Sequence, residues 1–289
     1  MDGRELGSVV RRDLVVGAAQ WLAIPGEPAQ NMSIALNMIE RAATRGIELL
    51  VLPELWACGY DPLTLPLDAR ESAEPLDGPR TTRLADAARA AGLWLVAGSV
   101  PELGEHGAIH NTALVFDRSG ELVAWHRKAH LYGPTGEREV FEPGDRLTTF
   151  EDPGLGVVGL VICFDGDFPE VARTLALRGA RLVVAPSAYE IEGATAWDTL
   201  YPAAALANSQ WWIQANQCGS HHTSTLLGGS RILAPTGTIV AEASRALPGS
   251  HLPAELLVHS IDIGLAYATD GLSTLLEQAR RPELYFDQD

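Results

Sequence analysis

Three reactive side chains stand directly after apolar runs. Glu54 follows the strand-like start of "VLPELWACGY", Lys128 follows that of "AWHRKAHLYGPTGERE", and Cys163 closes the apolar part of "GLVICFDGDFPE". In α/β proteins the carboxyl ends of strands are where sites are built. A carboxylate, an ammonium and a thiol are also the parts of nucleophilic acyl chemistry. A thiol with a pKa of about 8.5 needs a neighbouring base or cation before it can attack as a thiolate. A fixed cation can then hold the charge that develops on a carbonyl oxygen. Each residue taken singly has a plainer reading. A cysteine in a valine-rich run is ordinarily a core residue, and a glutamate or lysine after a strand is ordinarily a solvated loop charge.

The elements that would have to position these residues are legible as alternating patterns. β-rich runs occupy 14–20, 47–53, 93–100, 112–117, 121–126, 157–163, 181–187, 211–217, 231–235, 237–243 and 255–262. Helical spacing of apolar residues over 30–45, 80–91 and 169–179 predicts crossover helices, the last opening on Pro169, where a proline is tolerated. A helix over 195–209 contains Pro202, which is expected to kink or restart it. The turns "DRSG" (117–120) and "PTG" (235–237) predict hairpins inside the α/β alternation. The pattern predicts mixed sheets with helices on their outer faces. No composition break, linker or internal repeat divides residues 1–289, so one domain is expected, with an irregular C-terminal stretch that packs on a neighbour or trails.

Composition narrows the function. The 21 basic and 37 acidic residues leave a formal charge of -16, which repels phosphate backbones and anionic membranes, so neither a nucleic-acid nor a membrane partner is expected. No segment reaches the ~18 apolar residues of a membrane span, and "MDGRELGSVVRRDL" lacks a signal-peptide core, so a cytoplasmic location is expected. Cys58, Cys163 and Cys218 are too widely spaced for a disulfide framework or a zinc motif, and Cys58 and Cys218 read as packing residues. "GLGVVG" (154–159) precedes a strand instead of joining a strand to a helix, which removes the dinucleotide reading. His126 with His130 lacks the zincin glutamate, and the adjacent His221 and His222 make no metal motif; no metal or cofactor is expected. No G-x-S-x-G elbow occurs.

In combination, "PELWACGY", "RKAHLY" and "CFDGDFPE" resemble the nitrilase superfamily of carbon-nitrogen hydrolases. Further matches are "AAQ" at the end of the first strand, "FEPGD" (141–145), "ALRGARLVVAPSA" and "RRPELY", so the resemblance covers nearly the whole chain. It implies a four-layer α-β-β-α sandwich of two mixed β-sheets flanked by helices. It also implies a homodimer or higher oligomer, paired through helices near the cysteine turn and a tail at about 264–289. By the same resemblance Cys163 is the nucleophile, Glu54 the general base and acid, and Lys128 with the Phe164 backbone N–H the holder of the oxyanion. A second, substrate-positioning glutamate is expected at Glu137 in preference to Glu139. Tyr60 and Trp56 are either pocket or core aromatics, and Asp165 is expected to serve the turn through backbone hydrogen bonds.

"CFD" resembles the amidase branch, since true nitrilases usually follow the cysteine with Trp-Glu. Asp167 stands where several members acting on α-carboxylates carry arginine. It would attract an ammonium or guanidinium if it faces the pocket, or else cap the helix at Pro169. The reading is a cysteine-dependent amidase cleaving a small primary amide to acid and ammonia through a thioester, with a cationic substrate in view. The alternatives are an N-carbamoyl amine amidohydrolase, a nitrilase, or a catalytically silent binding subunit.

Overall fold

The computed structural model describes residues 13–267 and 278–285. The strands of the first half are β1 (Asp13–Gln20), β2 (Leu49–Val51), β3 (Trp94–Leu103), β4 (Ile109–Phe116) and β5 (Leu122–Arg127). Those of the second are β6 (Thr148–Asp152), β7 (Gly156–Leu160), β8 (Leu182–Ser187), β9 (Trp211–Asn216), β10 (Cys218–Ser220), β11 (Thr225–Leu227), β12 (Arg231–Leu233), β13 (Ile239–Glu242) and β14 (Glu255–Asp262). They form two six-stranded sheets, β14-β1-β2-β3-β4-β5 and β13-β12-β9-β8-β7-β6, with β10 and β11 as a separate ribbon.

Both sheets repeat one plan. In the first, β1, β2 and β3 run parallel, β14 lies antiparallel on one side, and β4 and β5 continue antiparallel on the other. In the second, β7, β8 and β9 are the parallel core, with β6 on one side and β12 and β13 on the other. No repeat is visible in the sequence because this plan needs only apolar patterning and turns, which many residue choices satisfy. The DRSG and PTG hairpins join β4 to β5 and β12 to β13 as expected.

The sheets face each other through branched and aromatic side chains, among them Val16, Val51, Val96, Val158, Val184 and Ile213. Helices cover the outer faces. On the first sheet lie α1 (Pro28–Thr44) and α3 (Pro79–Ala91), which bury Met32, Met38, Ile39 and Leu84. Between these two helices in sequence comes the short α2 (Leu65–Ser72). The second sheet is covered by α5 (Pro169–Leu177) and α6 (Ala194–Asn208) through Val171, Leu175, Trp197 and Tyr201. A single turn, α4 (Glu137–Val140), follows β5. The architecture is the expected four-layer sandwich of two mixed sheets.

Three helices open on proline at a first-turn position, where the missing N–H has no helical partner to lose. Of the two outcomes expected at Pro202, the restart does not occur: α6 runs unbroken from Ala194 to Asn208. One lost backbone hydrogen bond is outweighed by the buried face of Trp197, Tyr201, Ala204, Ala205 and Asn208. The expected tail falls partly on residues 268–277 and 286–289, outside the described residues. Before them, Ile263 and Ala266 are buried in the inter-sheet core, so the sandwich extends past β14. Among the described residues, no helix is long and apolar enough to cross a membrane.

Candidate active site

Glu54, Lys128 and Cys163 come from three strand ends, β2, β5 and β7, and all three are buried. The Glu54 turn is shaped by β3. Gly98 sits at φ 64°, in the left-handed region, and a side chain there would collide with the Pro53 carbonyl. The β3–β4 register shifts between Val96 and Ser99, so the Ser99 hydroxyl accepts from the Leu55 N–H at 3.0 Å while the Ser99 N–H donates to Pro53 at 3.2 Å. Leu55 itself is held at φ 46°. Cys163 has the same unusual backbone, φ 45°, at the first residue of a 3-10 turn over Cys163–Asp167. Its carbonyl accepts from the Tyr201 hydroxyl at 2.7 Å. Gly166 makes the turn's close seat possible, because a Cβ there would strike the Tyr201 ring.

Lys128 Nζ donates to Glu54 Oε1 at 2.7 Å and to Glu137 Oε1 at 2.6 Å. Glu137, on α4, is fixed by the Tyr60 hydroxyl at 2.6 Å and the Tyr132 N–H at 2.9 Å, and Tyr60 also meets Thr135 Oγ1 at 2.8 Å. Glu139, the alternative second glutamate, is exposed. Glu54 Oε1 also accepts from Asn111 Nδ2 at 2.8 Å, whereas Glu54 Oε2 is buried with no hydrogen-bond partner among the described residues. The Glu54 backbone is pinned by Ser187 and by Gln217, whose side chain in turn accepts from Ala23.

Burial would lower the Lys128 pKa, but the charges of Glu137 and Glu54 overcome it and hold the ammonium well above its ordinary range. Burial raises Glu54 above the ordinary carboxylate value; Lys128 opposes this and Glu137 adds to it. Burial, then the Glu54 charge, push the Cys163 thiol well up against the pull of Lys128. The resting site is therefore a neutral thiol beside a fixed cation and a carboxylate of raised proton affinity. Such a carboxylate is suited to taking the thiol proton when attack begins.

Asp165 does more than close its turn. Its carboxylate accepts from the N–H groups of Ile162, Ala129 and His130, and it also meets His126 Nε2 at 3.0 Å and His130 Nδ1 at 2.8 Å. One buried carboxylate thus ties the cysteine turn to both sides of Lys128. Its pKa lies far below the ordinary carboxylate range, because the two histidine hydrogen bonds and nearby positive charge outweigh burial. His126 and His130, one of the two histidine pairs weighed as metal ligands, thus both meet Asp165.

A cavity of about 200 Å³ is lined by Cys163 together with Tyr60, Tyr132, Phe164, Asp167 and Tyr189. Its size suits a small molecule, being below the range typical of drug-sized ligands. Tyr60 is thus a wall residue, while Trp56 is a core one, buried against Trp21 with its indole N–H on the Ala97 carbonyl. Asp167 does not cap the helix at Pro169, whose N-cap is Phe168 with no side-chain cap. It instead accepts from the Tyr189 hydroxyl at 2.5 Å, and its other oxygen is buried without a partner among the described residues. Cys58 and Cys218 pack away from the cavity; burial pushes their thiols up to about 12 and about 11.

Asn111, Tyr132 and Tyr189 were not singled out by sequence reasoning. Asn111 carries the clearest missed signal, a buried amide between His110 and Thr112 at the head of "IHNTALVF", a strand that is apolar from Ala113 onward. A buried amide needs partners, and this one finds Glu54.

The carbon-nitrogen hydrolase family model matches residues 15–270. The chain is 32% identical over 276 residues to omega-amidase NIT2 of Xenopus tropicalis, covering 92% of this chain and 94% of that one. Deaminated glutathione amidase of Mus musculus is also 32% identical, over 94% of this chain and 84% of its own length. Among solved structures, an amidase from Nesterenkonia sp. superposes with a TM-score of 0.76 at 29% identity, covering 94% of this chain and 98% of that one. Nit3 of Saccharomyces cerevisiae, a nitrilase-superfamily member, gives 0.80 at 26% identity over 95% and 97%. The chain belongs to the carbon-nitrogen hydrolase family and is a hydrolase acting on carbon-nitrogen bonds.

Proposed function

We propose that the protein is a cysteine-dependent amidase that converts a small primary amide to carboxylic acid and ammonia. The observation that carries this reading is the buried Lys128 ammonium, held between Glu54 and Glu137, at the site where the turn after β7 brings Cys163 to the cavity. In a solved relative, an amidase from Nesterenkonia sp., a variant carries the acetamide moiety of fluoroacetamide on its active-site cysteine, and another was solved with butyramide.

In the proposed reaction Glu54 takes the Cys163 proton as sulfur bonds to the amide carbon. Lys128 and the Phe164 N–H hold the oxyanion. The carbon-nitrogen bond breaks with the Glu54 proton passing to the departing ammonia, which leaves a thioester. Glu54 then removes a proton from water, the hydroxide oxygen bonds to the thioester carbon, and the proton returns to sulfur as the acid leaves. Glu137 orients Lys128 and the substrate amide. Asp167 in the cavity wall supports a preference for amides that carry a positive charge.

The proposed assembly is at least a homodimer in the cytoplasm. The outer face of α5 and α6 supports it: Arg173, Leu177 and Ala207 line a broad cleft there together with Arg280 and Tyr285 from the tail. Ammonia release over a panel of primary amides, N-carbamoyl amines and nitriles tests the activity. Release from amides alone is expected. Turnover confined to carbamoyl compounds or nitriles would replace this reading with one of those activities, and none at all would favour a silent subunit.

A further inference from the structure

Two more carboxylates border the cavity beyond Asp167. Glu190 and Glu192 follow β8 on the segment that leads into α6, Glu190 half-buried and Glu192 exposed. Among the described residues the lining holds no lysine, arginine or histidine; Cys163 lies among Tyr60, Tyr132, Phe164 and Tyr189 on the same surface. Lys128, whose charge acts on the thiol, is already matched by Glu54 and Glu137. One Asp167 oxygen is likewise taken by Tyr189. A positive group entering the cavity therefore meets the carboxylates of Glu190 and Glu192, the unpartnered oxygen of Asp167, and the aromatic rings of Tyr132 and Phe164, which stand edge-to-face at 5.2 Å. Carboxylates and aromatic faces are the two surfaces that hold ammonium and guanidinium groups.

We infer that Glu190 and Glu192 are specificity-determining residues that select amides whose acyl chain ends in an ammonium or guanidinium, distal to the carbonyl attacked by Cys163. This rests on the amidase reading and deepens it by placing the charge sensor on the β8–α6 segment, apart from the reacting groups. Burial and then the Glu192 charge raise the Glu190 pKa against the opposing pull of Ser224, and a cation bound between the two carboxylates would offset their repulsion.

The test compares δ-aminovaleramide with hexanamide, in which a methyl replaces the ammonium, by ammonia release at low ionic strength. The amine-bearing amide is expected to have the higher kcat/KM by about 10-fold, equivalent to about 1.4 kcal/mol. Glu190→Gln with Glu192→Gln together should lower that ratio at least about threefold, what is left lying with Asp167, and Glu192→Lys should shift preference toward glutaramate, whose distal group is a carboxylate. Hydrolysis of both amides at equal efficiency, or a ratio unchanged by the double substitution, would overturn the assignment while leaving the amidase reading standing. Ammonia from neither amide would overturn both.

Discussion

Lys128 is fully buried between two carboxylates, and that placement decides what it can do. Held well above its ordinary pKa, it is in the proposed reaction a fixed positive charge and not a proton carrier. In the proposed reaction Glu54, shifted upward, is the group that moves protons. Cys163→Ala and Glu54→Gln are expected to abolish turnover, and Lys128→Ala to lower kcat/KM by more than about 100-fold through loss of oxyanion stabilisation. Tm is measured alongside, because deleting the cation leaves two buried carboxylates uncompensated. Glu137→Gln should be damaging and Glu139→Gln mild, as one is buried on Lys128 and the other exposed; steady-state rates in reverse order would contradict the assigned roles. Glu54 must be ionised to accept the thiol proton, so the site is inactive below its folded pKa. Because that pKa is raised, the acidic limb of kcat/KM against pH should lie above 4.5, the ordinary value. A limb at or below that value would point to a different base.

At the scale of elements, the reactive residue types were readable, while the devices that aim them were not. Strand ends announced Glu54, Lys128 and Cys163 because apolar runs stop at them. The left-handed backbone at Leu55 and Cys163 had no residue-type signal, since neither is the glycine or asparagine that ordinarily marks it. Asp165 was expected to bond backbone, and it does, but its reach to His126 and His130 depends on β5 lying beside the cysteine turn, a long-range fact. The edge strand β6, "TTFED", and the small ribbon of β10 and β11 escaped notice because they are short and only partly apolar. Gly98 is the most direct probe of this level. Gly98→Ala must move the Pro53 carbonyl or the β3 bulge, and Glu54 is the next residue. Misplacement on the order of 1 Å can cost about 100-fold. A large loss of kcat with folded circular dichroism is expected, and unchanged kcat would show that the bulge does not aim Glu54.

For the whole molecule, the two-sheet sandwich was foreshadowed by hairpins interrupting crossovers and by the motif resemblance, whereas the repeated plan of the two sheets was not. Pairing order rests on contacts between strands far apart in sequence, such as β1 with β14, and local patterning does not encode them. The α5–α6 face with Arg280 and Tyr285 leaves a concave surface of mixed apolar and charged character at one side of the sandwich. Sedimentation over a range of protein concentrations is expected to show at least a dimer, with Leu177→Asp or Arg173→Glu favouring the monomer; a monomer at all concentrations would remove the proposed assembly.

The central claim is that Cys163 carries the acyl group during turnover. Acid quenching in the steady state of a slow primary amide, followed by intact-mass measurement and peptide mapping, tests it most directly. The expected result is an acyl increment confined to the peptide containing Cys163, absent from Cys163→Ala, and lost on mild alkaline hydrolysis as a thioester would be. Continued ammonia release by Cys163→Ala, or an acyl increment on Cys58 or Cys218 in its place, would contradict it.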